Sequence, residues 1–517
     1  MLPGVKSMAR RRSWSRLAAV PVILAVIAGC ASPAPPPTLQ PSAVAGSPSA
    51  SGATPGPSSV PLAWTDCGAP FECATLSVPL DYATGGAAVA HISLIRLPAS
   101  DHARRIGSLV TNPGGPGGSG VDFVRADATQ IFPAAVRERF DIVGFDPRGV
   151  GLSTPVRCDA DLEAYLSADP DPVTTAQWTA LATVDRAFAT ACGANAGPLL
   201  GDVSTVAAAR DLDRLRAALG DAKLTYVGYS YGTFLGATYA GLFPDHVRAL
   251  VLDAAVDPAL DLLGRLRGQA ASFEGALDRF LASCAANPSC DFYEGGASGR
   301  AFDRLIAGLV RKPLPAPLVG GGRAATAGMA WNAILGALYS PGFGWPYLAR
   351  ALGLAAQGDG SLLLATADAL NGRKPDGEYS NEVEANSAIN CVDEPAPTDP
   401  AAYMTLAQQL VRTAPRVGRV LAATGLTCAF WPVHPTAAPA SIKAAGAPPI
   451  VVIGGTGDPA TPYAWSVALA QELSSGVLLT RTGEGHGSYG FGTPCIDTPV
   501  DAYLLDLTAP VKGTVCK

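Results

Sequence analysis

Ser230 stands in Gly228-Tyr229-Ser230-Tyr231-Gly232, directly after the apolar run Leu224-Thr225-Tyr226-Val227. A serine on a sharp turn between a strand and a helix carries its hydroxyl out of the chain. Flanking glycines leave room for so tight a turn. The helix that follows would aim unpaired N–H groups at the same spot, which suits a developing negative charge. A plain strand-to-helix turn reads the same way locally. The pentapeptide therefore matters only if a base and an acid accompany it.

Five histidines are available as the base. His91 lies in an alternating strand-like run, His102 in a polar turn, His246 just past the helix that the turn opens, and His434 between two prolines. His486 differs. It sits in Gly483-Glu484-Gly485-His486-Gly487 after the apolar run Val477-Leu478-Leu479-Thr480, so a glycine-flanked imidazole at a strand's end could swing over a sheet. A glycine-rich surface turn is the plain alternative.

Asp458 follows Pro449-Ile450-Val451-Val452-Ile453, a buried-strand pattern ending in Gly454-Gly455-Thr456-Gly457-Asp458-Pro459. The 27 residues between Asp458 and His486 hold one helix (about Tyr463 to Leu473) and one strand. One such step brings two loops to the same edge of a parallel sheet. The carboxylate could then fix the tautomer of His486 and stabilise its charged form, with the Thr461 hydroxyl tying the Asp458 loop. Asp253 and Asp257, after the strand Arg248 to Leu252, compete for this role.

Asn112-Pro113-Gly114-Gly115-Pro116-Gly117-Gly118-Ser119-Gly120 follows the apolar run Ser108 to Thr111. Glycines let backbone N–H groups crowd a substrate oxygen, and Gly115 with Tyr231 would make a two-donor oxyanion hole. A phosphate loop is the competing idea, but no Lys-Ser/Thr follows and no acidic ribose ligand stands about 20 residues on.

These segments, with Gly144-Phe145-Asp146-Pro147-Arg148-Gly149-Val150-Gly151-Leu152-Ser153, resemble the α/β-hydrolase peptidases related to proline iminopeptidase. More narrowly, the chain is similar to the secreted tripeptidyl-aminopeptidase branch, from about Trp64 to the C-terminus. Proline iminopeptidases usually carry His before the glycines, where Asn112-Pro113 stands here. The resemblance implies an α/β fold, a mostly parallel sheet flanked by helices, with a helical cap before the last strands. It implies Ser230 as nucleophile, Asp458 and His486 as partners in the chain order Ser, Asp, His, and Gly115 with Tyr231 as oxyanion donors. It fixes the substrate less well, because relatives include carboxylesterases. Asp146 and Arg148 are expected to brace the loops that carry the oxyanion donors.

At the start of the chain, Arg10, Arg11, Arg12 and Arg16 precede an apolar stretch from Leu17 to Ala28 that ends in Ile27-Ala28-Gly29-Cys30. Twelve apolar residues suit a signal-peptide core and are too few to span a bilayer. Small residues before Cys30 read as a lipobox, so cleavage and lipidation at Cys30 are expected; a simple secretory signal is the alternative. The Pro-, Ser-, Ala- and Gly-rich segment to residue 61 reads as a linker, with a coil span of roughly 30 Å. The expected location is the outer side of a membrane, lipid-anchored, or free after secretion.

Eleven cysteines leave an even ten once Cys30 is set aside, as in exported proteins. Sequence neighbours suggest Cys67–Cys73, Cys158–Cys192, Cys284–Cys290, Cys391–Cys428 and Cys495–Cys516. No metal site is expected, since no Cys-x-x-Cys occurs and histidines do not cluster near cysteines, and no cofactor is implied. The formal charge is −6, and loss of residues 1–29 removes Lys6 and four arginines but no acid, leaving −11. So acidic a chain is a poor nucleic-acid binder. Nothing in the sequence sets the oligomeric state.

Between Asp253 and Ile450 the pattern reads as helices, over Leu262–Ser283, Ala301–Val310, Ala324–Leu338 and Ala401–Arg412. The expected division is thus residues 1–29 signal, 30–61 linker, 62–258 first core part, 259–445 cap and 446–517 last core part. Ala388 to Glu394 within the cap resembles a segment of the tripeptidyl branch. A peptidase acting at a free N-terminus must bind an ammonium, for which Glu382, Glu384, Asp393 and Glu394 are candidates beside the alternative of solvated surface acids. Peptides or small esters are the expected substrates.

Overall fold

The computed structural model describes residues 62–319, 321–435 and 438–517, so Cys30 and the N-terminal signal lie outside the described residues. A ten-stranded sheet organises the chain. Its strands are β1 (Thr65–Asp66), β2 (Glu72–Pro79), β3 (Val89–Leu97), β4 (Gly107–Asn112), β5 (Phe140–Phe145), β6 (Leu224–Tyr229), β7 (Val247–Asp253), β8 (Ile450–Gly457), β9 (Gly476–Glu484) and β10 (Thr514–Cys516). In space they run β1-β2-β3-β5-β4-β6-β7-β8-β9-β10. The pairings from β1 to β5 through β3 are antiparallel, and every pairing beyond is parallel.

Burial follows from position. All six residues of β4, β5 and β6 are buried, as expected for parallel strands covered on both faces. Successive side chains go to opposite faces. Leu250 and Leu252 join one apolar cluster, while Ala249 and Val251 join the other. Each aliphatic side chain buried in this way contributes about 1.5–3 kcal/mol of transfer free energy.

Helix α1 (Gly120–Ile131) follows β4, and the long α2 (Thr175–Ala196) and α3 (Thr205–Ala218) fill the span from β5 to β6. Helix α4 (Tyr231–Leu242) follows β6. After β7 the chain is mainly helical, from α5 (Leu262–Ala286) through Ser298–Arg311, Ala327–Ala337, Gly344–Ala356 and Ser361–Leu370 to α6 (Glu382–Asp393), Pro400–Leu410 and Gly418–Thr424. Helix α7 (Tyr463–Glu472) joins β8 to β9, and α8 (Pro494–Asp506) precedes β10. One expected helix starts late. Ala324–Ala325 pair instead with Leu314–Pro315 in a two-stranded ribbon. Thr326 then caps the helix by accepting the N–H of Met329, because its hydroxyl satisfies a donor that has no intrahelical partner.

All five cysteine pairs suggested by sequence neighbourhood are bonded. Cys67–Cys73 crosses the turn between β1 and β2, and Cys495–Cys516 ties α8 to β10. Among the described residues no helix is long and apolar enough to cross a membrane.

Candidate active site

Ser230 lies between β6 and α4 with φ 54° and ψ −122°, a conformation that costs a non-glycine residue about 1–3 kcal/mol. The neighbours hold it there. Ser230 N–H donates to Asp253 O at 3.0 Å, and the Thr233 hydroxyl donates to Ser230 O at 2.5 Å. A Cβ on Gly228 would collide with Gly232 O, which explains the small residue at that position. Tyr231 opens α4, so its N–H has no intrahelical acceptor.

The glycine loop after β4 closes on this turn. Asn112 Oδ1 accepts the N–H of Gly114 at 3.0 Å and sets the loop's first bend. Gly114 passes so close that a Cβ there would stand 2.6 Å from Tyr229 O and 3.1 Å from Tyr231 N. Gly115, Ser230 and Tyr231 together line a narrow cavity of about 60 Å³.

Asp146 braces the loop's far end, accepting the Ser119 hydroxyl at 2.6 Å and the N–H groups of Val121 and Leu152 at 3.1 and 3.0 Å. Arg148 corrects the sequence expectation. Its fully buried guanidinium forks onto Asp211 of α3 with two bonds of 2.7 Å, and it also donates to the carbonyls of Pro79, Leu80 and Asp202. It ties α3 to the sheet, because the nearest carboxylate that matches its planar fork is on that helix.

His486 Nδ1 lies 2.9 and 2.8 Å from the two carboxylate oxygens of Asp458. Asp458 Oδ1 also accepts the N–H groups of Ala460 and Thr461, and its Oδ2 the Thr461 hydroxyl. With Nδ1 committed as donor, Nε2 is the nitrogen free to take a proton. The imidazole is 12 % exposed, and burial alone would lower its pKa. The charge and hydrogen bond of Asp458, with Asp253 behind it, outweigh burial and raise it above the ordinary histidine value.

Two further contacts steer the ring. His486 N–H donates to Tyr339 O at 2.9 Å, and the Tyr339 ring meets the imidazole edge-on at 4.9 Å between centroids. Tyr339 and Thr461, both touching His486, also line the Ser230 cavity. Among the described residues Ser230 Oγ makes no hydrogen bond. Such bonds commonly tighten only when substrate binds.

The competing acids have other work. Asp253 is fully buried, and its Oδ2 accepts the N–H groups of Ser488 and Tyr489 at 2.7 Å each. Burial pushes its carboxyl up to about 6. Asp257 closes a local turn on the N–H of Ala259.

The four acids considered for ammonium binding separate. Glu384 faces away, its carboxylate accepting the N–H of Cys158 at 2.7 Å. Glu394 lines the Ser230 cavity but is bonded to Arg265 at 2.8 and 3.0 Å. Asp393 lines that cavity as well, accepts both the N–H and hydroxyl of Thr205, and is raised by burial to about 7. Glu382 instead lines a larger neighbouring cavity of about 380 Å³. Sequence reasoning missed Tyr339 and, in that larger cavity, Asp185. Tyr339 lies in the turn after the helix Ala327–Ala337 and Asp185 within α2, neither in a local motif, so only the fold brings them here.

Two family models match. The one described as "alpha/beta hydrolase fold" covers residues 107–295, and the one described as "TAP-like protein" covers residues 414–516. Serine protease Hip1 of Mycobacterium tuberculosis is 40% identical over 88% of this chain and 91% of its own. Carboxylesterase B of the same organism is 38% identical, covering 86% of each chain. Tripeptidyl aminopeptidase of Streptomyces lividans is 33% identical over 88% of this chain and 86% of its own. Identity of this depth over nearly the full length, on a sheet of this topology, establishes that the chain belongs to the TAP-like family of α/β-hydrolase serine peptidases and is a serine hydrolase.

Proposed function

We propose that the protein cleaves peptide bonds near the free N-terminus of peptides through an acyl-enzyme, with Ser230, His486 and Asp458 as its triad. The observation that carries this reading is the His486–Asp458 pair at 2.8–2.9 Å, whose ring contacts Tyr339 and Thr461 share a cavity with Ser230. Ser230 Oγ adds to the substrate carbonyl while His486 Nε2 takes the hydroxyl proton. The N–H groups of Tyr231 and Gly115 stabilise the oxyanion, and neither donates a hydrogen bond elsewhere among the described residues outside α4. The C–N bond then breaks, and His486 returns the proton to the leaving amine. Water releases the acyl group by the same steps, with His486 again as base.

Fluorophosphonate labelling that disappears in Ser230→Ala tests the nucleophile. Reaction class is tested by comparing a tripeptidyl anilide having a free amine with its N-acetyl form and a short acyl ester. A second reading, ester hydrolysis on the same triad, is favoured by the 38% identical relative named Carboxylesterase B. Preference for the ester, indifferent to the amine, would establish it and remove the peptidase reading.

The protein is further proposed to act outside the cell, held to the membrane by lipid on Cys30. Five disulfides support an oxidising compartment. Metabolic labelling with an alkynyl fatty acid, lost in Cys30→Ala, is the expected result. Equal labelling in both chains would refute the anchor.

A further inference from the structure

We infer that the larger cavity next to the Ser230 pocket is a cation subsite, where Asp185 on α2 and Glu382 on α6 receive the positively charged group of a short peptide. This rests on the peptidase reading above and adds to it where the substrate's charge is held. The charge could be the α-ammonium or a basic side chain near it.

The first argument is adjacency. Arg265 and Asn390 line both cavities, so the larger one lies against the cavity that holds Ser230. At about 380 Å³ it falls in the size range of small-ligand sites. Its wall combines apolar side chains such as Leu266 and Trp331 with a few polar groups, the usual composition of a binding site.

The second argument is an unpaired charge. Asp185 is 4 % exposed, and its Oδ1 accepts the Thr427 hydroxyl at 2.5 Å. Its Oδ2 is buried without any partner. Asp253 Oδ1 and Glu274 Oε1 are likewise buried without a hydrogen-bond partner, but in each the other oxygen takes two backbone N–H groups. Asp211, with the Arg148 fork, and Asp146, with three donors, are also better supplied than Asp185. A buried carboxylate left with one hydroxyl is costly, and it persists where something else completes it. Burial lifts Asp185 to about 7, and no cation among the described residues offsets this.

Glu382 adds to the same imbalance. Its carboxylate has no hydrogen-bond partner among the described residues, and burial, with Asp122 nearby, lifts it to about 7. Among the described residues the one cation lining the cavity, Arg265, is already bonded to Glu394. An entering ammonium or guanidinium would supply donors to both acids and relieve their burial, whereas a neutral end would leave both unpaired.

The test uses Asp185→Asn, which keeps the size of the side chain and an acceptor for Thr427. Four substrates are compared by kcat/KM: a tripeptidyl anilide with neutral side chains and a free amine, its N-acetyl form, an N-acetyl form bearing a lysine, and a short acyl ester. The expected result is a fall on a cationic substrate at least tenfold larger than on the ester. Loss confined to the free amine identifies the α-ammonium, and loss confined to the lysyl substrate identifies a side chain. An equal fall on all four, or none on either cationic substrate, overturns the inference.

Failure of the peptidase reading is kept separate by a second measurement, inhibition of ester turnover by the free tripeptide and by its N-acetyl form. This reads the subsite even if no peptide is cleaved. Wild type should be inhibited better by the free amine or by the lysyl peptide, and Asp185→Asn should lose that margin. No margin in wild type overturns the inference. If Asp185→Asn does not fold, Glu382→Gln, at a side chain without hydrogen bonds, carries the same comparison with an expected threefold or larger effect.

Discussion

Asp253 Oδ2 accepts the backbone N–H of Ser488 at 2.7 Å, and so fastens the strand beside Ser230 to the loop that carries His486. Ser230 N–H donates to the carbonyl of that same aspartate. One residue thereby sets the nucleophile's turn and the base's loop against each other, without touching either reacting atom.

Replacement by alanine, Asp253→Ala, would strand the N–H groups of Ser488 and Tyr489 in the interior. At about 1–3 kcal/mol for each unsatisfied group, the expected loss is about 2–6 kcal/mol. Denaturant unfolding measures it. Turnover should fall further than KM changes, because the loop and not the cavity wall is released. Full activity with unchanged stability would contradict this.

A methyl group on the oxyanion loop should act more locally. In Gly114→Ala the new Cβ would stand 2.6 Å from Tyr229 O and 2.9 Å from Ser230 Cβ, forcing the loop away from the Tyr231 N–H. Disturbing one such donor costs about 10²–10³ in kcat. Steady-state kinetics should show that fall with a nearly unchanged KM. A fall in KM-dependent terms alone would speak against the placement.

How much of this was legible in the sequence depended on distance along the chain. The Ser230, Asp458 and His486 loops could be found because each ends an apolar run, and such runs declare buried strands. The antiparallel start of the sheet and the β3–β5 neighbourhood left no comparable signal. Asp253 was visible as an acid at a strand's end, but its partners Ser488 and Tyr489 lie 235 and 236 residues later. Arg148 was read with its own loop, while its fork belongs to Asp211 on a helix 63 residues on. Asp185 stands in a helix whose local pattern gives no reason to single it out. These contacts are set by packing, which spacing alone does not encode.

The pH dependence follows from His486. The ring must be neutral to accept the Ser230 proton, and Asp458 raises its pKa above the ordinary value of about 6.5. Activity (kcat/KM) should therefore rise with pH through a midpoint above that value. Asp458→Asn removes the stabilising charge, so the acid limb should move to lower pH while kcat falls by about 10³–10⁴. A limb that stays in place would dissociate the two residues.

Stability should run the other way. Burial raises Asp253 to about 6 and Asp185 and Asp393 to about 7, and Glu382 to about 7 with help from Asp122. Unfolded, these carboxyls release their protons near pH 4. The folded chain thus binds more protons between about pH 4 and 7. The stability they contribute is complete below pH 4 and is lost as pH rises through 6–7. Without ligand, the melting temperature should be higher at pH 5.5 than at pH 8, and Asp185→Asn should flatten the difference. A melting temperature that drops toward pH 5.5 would refute this assignment.

The outermost strands of the sheet are also its shortest. β1 has two residues and β10 three, and a disulfide anchors each end of the sheet, Cys67–Cys73 and Cys495–Cys516. A ten-stranded sheet otherwise offers two long rows of open backbone groups on which other chains could template. β1 covers only Glu72 and Cys73 of the eight residues of β2, and β10 only Leu479, Thr480 and Arg481 of the nine of β9, so cutting either bond would widen a margin that is already partly open. Each bridge therefore holds a very short outer strand in place at its end of the sheet, and a chain made in a reducing cytoplasm would lose that hold.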